Sequence, residues 1–313
     1  MAFKDDLGLD STQPSAFDYT LSATGLISRT FGLWSRKLAQ YIIIIGLFGA
    51  ASAAVSFLLF FTLFGTIGVI GSDPISSLFS FFASTTFPSI PVITATLLFT
   101  IVAFVINAVV IGGTIKFALD DYSGLRADIW QSISHATGKL GSIIIVQILI
   151  SLLISAVTVP SLIMIASAME GIDLTDPFNP IIPPGSFELM MGAFGFLLVG
   201  GIFALYISAR LVPTLAIVID TDLSAIDSLK KSWGLTSGNV IHVIAGQILL
   251  GIVVIIIGAV VSSLTFGLYP YDLVVGNIVT SLLFGSLNFI FAVVLYRDLG
   301  SRTDSSTLQD LMI

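Results

Sequence analysis

Two histidines, His135 and His242, are the side chains of this 313-residue chain suited to act as general bases near neutral pH. His135 falls on an amphipathic stretch, and His242 opens a long apolar one. They do not form a paired metal-binding motif, and neither has a carboxylate spaced in sequence to orient it. Surface or interfacial packing is therefore the expected role of both. Neither a GxxxxGKS phosphate loop nor a GxSxG nucleophile elbow is present. The chain has no Cys, which excludes disulfides, a thiolate nucleophile and thiolate metal ligands. No carboxylate or Lys lies inside the apolar segments, and this counts against a proton-coupled carrier or an intramembrane protease. No catalytic residue, metal ligand or cofactor is expected.

What remains for binding is a small set of polar groups within apolar surroundings. Gln147, Gln247, Asn107, Asn277, Asn288 and Tyr206 are neutral. Gln147 and Gln247 either face one another across a cavity or each bond a neighbouring helix. Arg210 follows twenty-one uncharged residues and precedes Leu211-Val212-Pro213. It either snorkels to an interface or pairs with Asp220, Asp298 or a lipid phosphate. Candidate lipid- or solute-binding residues are Arg210, Gln147, Gln247, Asn107, Asn288 and Arg297.

The elements that must carry these groups are membrane spans. The chain is 56% hydrophobic and 10% charged, with mean hydropathy +1.05, against about 25% charged in a soluble domain. Six segments lack Asp, Glu, Lys and Arg: 38–72, 74–115, 140–169, 189–209, 232–271 and 273–296. Each contains a run near the roughly 20 residues that cross a bilayer. Spans are expected at about 40–64, 92–115, 142–166, 190–209, 240–264 and 274–296. They form one membrane domain over 17–303, between a flexible tail at 1–16 and a tail at 304–313. No cleavable signal peptide is expected, because the first apolar run starts near residue 40 behind a polar stretch.

Alternating the chain across the membrane places all twelve Lys and Arg on one side. By the positive-inside rule this is the cytoplasmic face of the cell membrane, with both termini on it. Thirteen acids accompany the twelve bases there, whereas the outer side has six acids and no base. Seventeen of the nineteen acids are Asp, a bias expected of an archaeal, salt-loving source. The outer loops include 73–91, rich in Phe and Ser, and 171–186, whose four prolines prevent a regular helix.

An internal repeat organises the spans. Ile27, Phe31, Trp34 and Leu38 form a helical stripe leading into the first span, and Ile129, Ile133, Ala136 and Leu140 lead likewise into the third. A shift of 102 aligns Lys37 with Lys139 and Ile42 with Ile144. A shift of 100 aligns Asp120 with Asp220, Ser132 with Ser232, Gly138 with Gly238, and Gln147-Ile148-Leu149 with Gln247-Ile248-Leu249. The expectation is an all-α membrane protein of three parallel repeats, each an interfacial amphipathic helix followed by two spans. In the third copy Ser224 and Asp227 have capping-box spacing. Ile226, Leu229 and Trp233 form its apolar side, facing acyl chains or the bundle. Gly138 and Gly238 sit where such helices end, and Pro213 is expected to break the fourth span and turn the chain along the membrane surface.

Arg210-Leu-Val-Pro-Thr-Leu-Ala-Ile-Val-Ile-Asp220, then Ala225-Ile-Asp-Ser-Leu-Lys-Lys-Ser-Trp-Gly-Leu-Thr-Ser-Gly-Asn239, and finally Leu295-Tyr-Arg-Asp-Leu299 form a recognisable series. It resembles the six-span membrane domain attached to some glycerophosphodiester phosphodiesterases, and that domain's stand-alone relatives in bacteria and archaea. The resemblance covers about 205–299 and implies the fold. It does not bring the hydrolase activity, because the chain offers no phosphodiesterase barrel and no metal-binding carboxylate–His set. The expected function is a non-enzymatic membrane protein that binds or organises lipids or partner membrane proteins. The alternative is a transporter or facilitator for a small polar or amphiphilic solute; an intramembrane lipid enzyme would require a serine and an acid within reach of His242. Partners are expected among membrane lipids and other membrane proteins, not nucleic acid.

Overall fold

The computed structural model describes residues 21–46, 90–169, 185–268 and 272–310, and these are helical with no strand among them. In chain order they form α1 (Ala23–Arg36), a helix α2 described over 38–46, α3 (Ile90–Tyr122), α4 (Ile129–Gly138), α5 (Leu140–Met169), α6 (Ser186–Leu211), α7 (Thr214–Asp220), α8 (Ala225–Leu235) and α9 (Val240–Thr265). A 3-10 turn at Phe266–Leu268 follows, then α10 (Asp272–Phe284) and α11 (Leu287–Asp310). The expected tail at 1–16, most of the first span and most of the loops at 73–91 and 171–186 lie outside the described residues.

Four helical stretches are long and apolar enough to cross a membrane: Leu97–Tyr122, Ser186–Asp220, Val240–Thr265 and Ile278–Thr303. A fifth is added if α4 and the following Leu140–Ala156, which meet at 72°, count as one bent span. A 26-residue helix rises about 39 Å, more than the roughly 30 Å hydrocarbon core. Outward faces are apolar, with Ile241 85% and Ile255 71% exposed in the isolated chain. Such faces suit acyl chains, and helices satisfy their backbone internally within hydrocarbon. The architecture is that of an all-helical, multi-pass membrane protein.

The core sits at one end of the bundle. Ile115, Phe117, Ala118 and Leu119 of α3, Ala216–Ile219 of α7, and Val293–Leu295 with Leu299 of α11 are buried in a single cluster. α3, α7 and α11 touch pairwise there. The three amphipathic helices fill in around them: α4 packs on α3, α8 packs on α5, α6 and α7, and α1 packs on α9 and α11. Each starts from a side chain that accepts the amide three residues on, Ser22 from Gly25, Asp128 from Gln131 and Ser224 from Asp227, which satisfies one open N–H of the first turn.

Pro213 does interrupt the helix, α6 ending at Leu211 and α7 starting at Thr214, but the expected turn along the surface is corrected. Its backbone is right-handed helical, φ −75° and ψ −7°, and Ser186–Asp220 forms one 35-residue apolar helical stretch. Proline removes one donor from the ladder, yet its fixed φ is compatible with the first turn of a following helix. The sixth span has a similar two-residue break between Phe284 and Leu287, within the single stretch Ile278–Thr303. At Gly285 a Cβ would lie 2.4 Å from the carbonyl oxygen of Ser281, so the turn requires glycine. Of the two paired glycines, Gly238 adopts φ +80° after α8, whereas Gly138 is the last residue of α4 and stays helical.

Candidate functional site

The core end of the bundle carries the charges. Asp120 and Asp220 stand at or near the C-terminal ends of α3 and α7, and Asp298 lies within α11. A carboxylate near a helix C-terminus opposes the helix dipole and needs a cation or hydrogen-bond donors. Asp120 receives Lys116 at 2.7 Å. Asp220 receives Arg297 at 3.3 Å and the Tyr296 hydroxyl at 2.9 Å. Asp298 is fully buried and receives three donors: the Leu21 amide at 2.6 Å, Arg302 Nε at 2.9 Å and His242 Nε2 at 3.1 Å. Neighbouring cations cap carbonyls directly. Arg36 bonds the Asp121 carbonyl and carboxylate at 3.2 and 2.9 Å. Lys139 bonds the carbonyls of Val218, Ile219 and Thr221, and His135 lies 3.0 Å from the Ile219 carbonyl.

Arg210, one residue from the end of α6, is built differently. Nε and Nη2 donate to the Tyr206 hydroxyl at 3.2 and 3.0 Å, and Nη1 donates to the Trp233 carbonyl at 3.2 Å and Thr236 Oγ1 at 3.4 Å. Its guanidinium carbon lies 5.4 Å from the Tyr206 ring centre and 5.0 Å from that of Trp233, within cation–π range. The Arg210 carbonyl accepts from Ser232 Oγ at 2.7 Å, which ties α6 to α8. No carboxylate pairs with Arg210 among the described residues. The expected partners Asp220 and Asp298 are occupied by other donors, so their pairing with Arg210 is corrected.

Helix α8 sits over this site. In α4, Ala136 is buried and Ile133 packs on Gly113 of α3. In α1, Trp34 donates to the Leu283 carbonyl at 2.9 Å and stacks on Phe284 at 5.4 Å. α8 buries the small residues Ala225, Ser228 and Ser232, and Ile226 (58% exposed) and Trp233 (44%) face outward, as Trp130 (69%) does on α4. A small-residue seam permits close helix approach. The outward apolar residues beside exposed Lys230 and Lys231 have the composition of a helix lying at a headgroup boundary. At its start the Ser224 hydroxyl donates to the Asp227 carboxylate at 2.6 Å. That bond, with a smaller contribution from Lys230, holds the Asp227 pKa below its ordinary value, while desolvation opposes the shift.

The sequence-selected residues do not converge on one cavity. Gln247 donates to Ser208 Oγ of α6 at 3.1 Å, as a helix-to-helix amide does. Both amide atoms of Gln147 are buried with no hydrogen-bond partner among the described residues. Asn107 and Asn288 lie on exposed faces, and Arg297 belongs to the Asp220 pair. Three or more His, Asp or Glu side chains do not gather to hold a metal ion among the described residues. The residue missed by sequence reasoning is Asp298 as partner of His242. The signal was the i,i+4 spacing of Asp298 and Arg302, which marks an ion pair on one helix face.

Residues 187–298 match the family described as the membrane domain of glycerophosphoryl diester phosphodiesterase. The chain is a relative of that membrane domain, and the matched segment runs from α6 to α11. No curated protein and no solved structure matches the chain.

Proposed function

We propose that this is a non-enzymatic, six-span module of the cell membrane that binds or organises membrane lipids or partner membrane proteins, with both termini cytoplasmic. The observation carrying the reading is α8: its apolar residues Ile226 and Trp233 face outward above Arg210, a cation without a carboxylate. The acidic groups of the same layer are engaged in ion pairs and helix capping, which supports a structural rather than catalytic role for His242 and His135. His242 does have an acid within reach, but the serine that hydrolysis would need does not contact it among the described residues.

Three parallel repeats are part of the same proposal. Positions equated by the sequence shifts are buried alike: Thr30, Ser132 and Ser232; Tyr41, Ile143 and Val243; Phe117 and Ile217. The amphipathic helix of each copy packs on spans of the preceding one, and α1 of the first copy packs on α9 and α11 of the third. A reporter fused after residue 180 should read as external; a cytoplasmic signal there would overturn the topology.

The test of function is purification of the full chain in mild detergent, with mass spectrometry of everything retained. A stoichiometric membrane-protein partner or a retained lipid supports the reading, and a bare protein refutes it. Gln147 favours a second reading, a facilitator for a small polar solute, since a buried unpaired amide is costly and suits a transient ligand. Flux in proteoliposomes that falls in Gln147→Leu would favour this alternative.

A further inference from the structure

We propose that Arg210, framed by Tyr206 and Trp233, is a binding site for one phosphate group, that of an anionic membrane phospholipid. The inference rests on the lipid-binding reading above and names the chemistry of one site within it. Arginine has five N–H donors. The contacts to Tyr206, Trp233 and Thr236 engage Nε, both Nη1 hydrogens and one Nη2 hydrogen. One Nη2 hydrogen therefore remains, on a guanidinium whose charge no carboxylate neutralises. The acceptors already present are neutral: a phenol, a hydroxyl and a peptide carbonyl. They orient the guanidinium plane without cancelling its charge, so an external anion is favoured. The remaining N–H can make one charge-assisted hydrogen bond to a phosphate oxygen.

Position decides which source of phosphate fits. Trp233 is 44% exposed and holds Arg210 through both its ring and its carbonyl. Aromatic rings of this kind settle at the headgroup level of a bilayer. Ile226 lies two turns before Trp233 on the same side of α8 and is also exposed, so the helix presents apolar contact for an acyl chain beside the cation. Lys230 lies one turn from Trp233, with its side chain 74% exposed and its nearest acid, Asp227, at 3.6 Å. Lys231 follows it. A diacyl lipid with an anionic headgroup satisfies the cation, the lysines and the apolar surface together, whereas a free phosphate ion satisfies only the charges.

The experiment uses the full chain in nonionic detergent and native mass spectrometry. It is titrated with phosphatidylglycerol and with a phosphate-free glycolipid of the same acyl chains. The wild-type protein should bind phosphatidylglycerol at least about tenfold more tightly, the value of one charge-assisted hydrogen bond. Arg210→Gln should lose that factor and leave glycolipid binding unchanged, and Arg210→Lys should retain part of it. Millimolar inorganic phosphate should leave phosphatidylglycerol bound; displacement would assign the site to the free ion and overturn the lipid assignment. Equal binding of the two lipids by the wild-type protein would sink this site while leaving lipid binding intact. Retention of neither lipid would sink both readings. Should Arg210→Gln fail to fold, the wild-type protein decides: fivefold more salt must weaken phosphatidylglycerol selectively, and a flat response overturns the proposal.

Discussion

At Arg210 the guanidinium is held by oxygen acceptors and ring faces instead of a carboxylate, and these contacts join α6 to α8. Arg210→Leu should therefore lower folded yield and stability by about 1–3 kcal/mol, since it strands the Tyr206 hydroxyl and the Trp233 carbonyl. Lys230→Leu should change stability by no more than about 0.5 kcal/mol, because Lys230 is exposed and only 3.6 Å from its acid. Equal thermal stability of the two variants in detergent would remove Arg210 from any structural role. The special status of Arg210 was legible, because a lone cation after an uncharged run must find partners. Their identity was not, since a tyrosine one turn back and a carbonyl and hydroxyl 23 and 26 positions later leave no charge pattern. Asp227 makes a pH prediction at the same scale. Its folded-state pKa is lowered by the Ser224 hydroxyl. Its contribution to α8 is therefore complete above the ordinary carboxylate value of 3.8 and disappears as pH falls through the lowered one. Ser224→Ala should bring the Asp227 titration back up toward that ordinary value, as read by NMR of labelled aspartate. An unchanged midpoint would mean that the Ser224 bond does not form.

Among the elements, periodicity located α1, α4 and α8 but not the surface each one faces. An apolar stripe suits a protein core and an acyl chain equally well. All three helices bury the same register, Thr30, Ser132 and Ser232, while α4 leaves Trp130 and α8 leaves Ile226 and Trp233 exposed. Helix breaks were similarly half legible. Pro213 reads as a stop and does interrupt the helix, whereas the break at Gly285, where a Cβ would meet the Ser281 carbonyl, was not read from the sequence. Two glycines inside helices, Gly112 and Gly201, divide by the same criterion. A Cβ at Gly112 would lie 2.8 Å from the Ala136 Cβ and 2.7 Å from Ile143 Cδ1. The isoleucine end can rotate, but the alanine is fixed to the α4 backbone, so α4 must move. Gly112→Ala should cost about 1–3 kcal/mol. Gly201→Ala, where nothing lies within 4 Å, should be neutral or slightly stabilising through better helix propensity. Thermal melts of the two variants in one detergent check this, and a neutral Gly112→Ala would mean that α4 does not pack closely on α3.

Over the whole molecule, the multi-pass helical character was legible because lipid forbids unpaired ions, which leaves long uncharged runs. What the linear order hides is closure between its two extremes. Asp298 and Arg302 of α11 hold the Leu21 amide and carbonyl, joining the start of α1 to a helix 277 positions later. No local pattern encodes such a contact. The first amphipathic helix thereby docks on α9 and α11, as α4 docks on α3 and α8 on α7. The join depends on a carboxylate that is 0% exposed and bonded to Leu21, His242 and Arg302. Removing one member of a buried ionic cluster leaves the others unpaired, which typically costs about 3–5 kcal/mol. Asp298→Ala should destabilise the protein by about that amount and expose the chain before α1 to added protease. Asp222→Ala provides the contrast. Asp222 also meets a lysine, Lys139 at 3.1 Å, but its side chain is fully exposed, so its loss should stay within about 0.5 kcal/mol. If the two variants melt together and cleave at the same rate near residue 21, the bundle is not closed through Asp298. α1 would then be held by its apolar contacts with α9 and α11 alone.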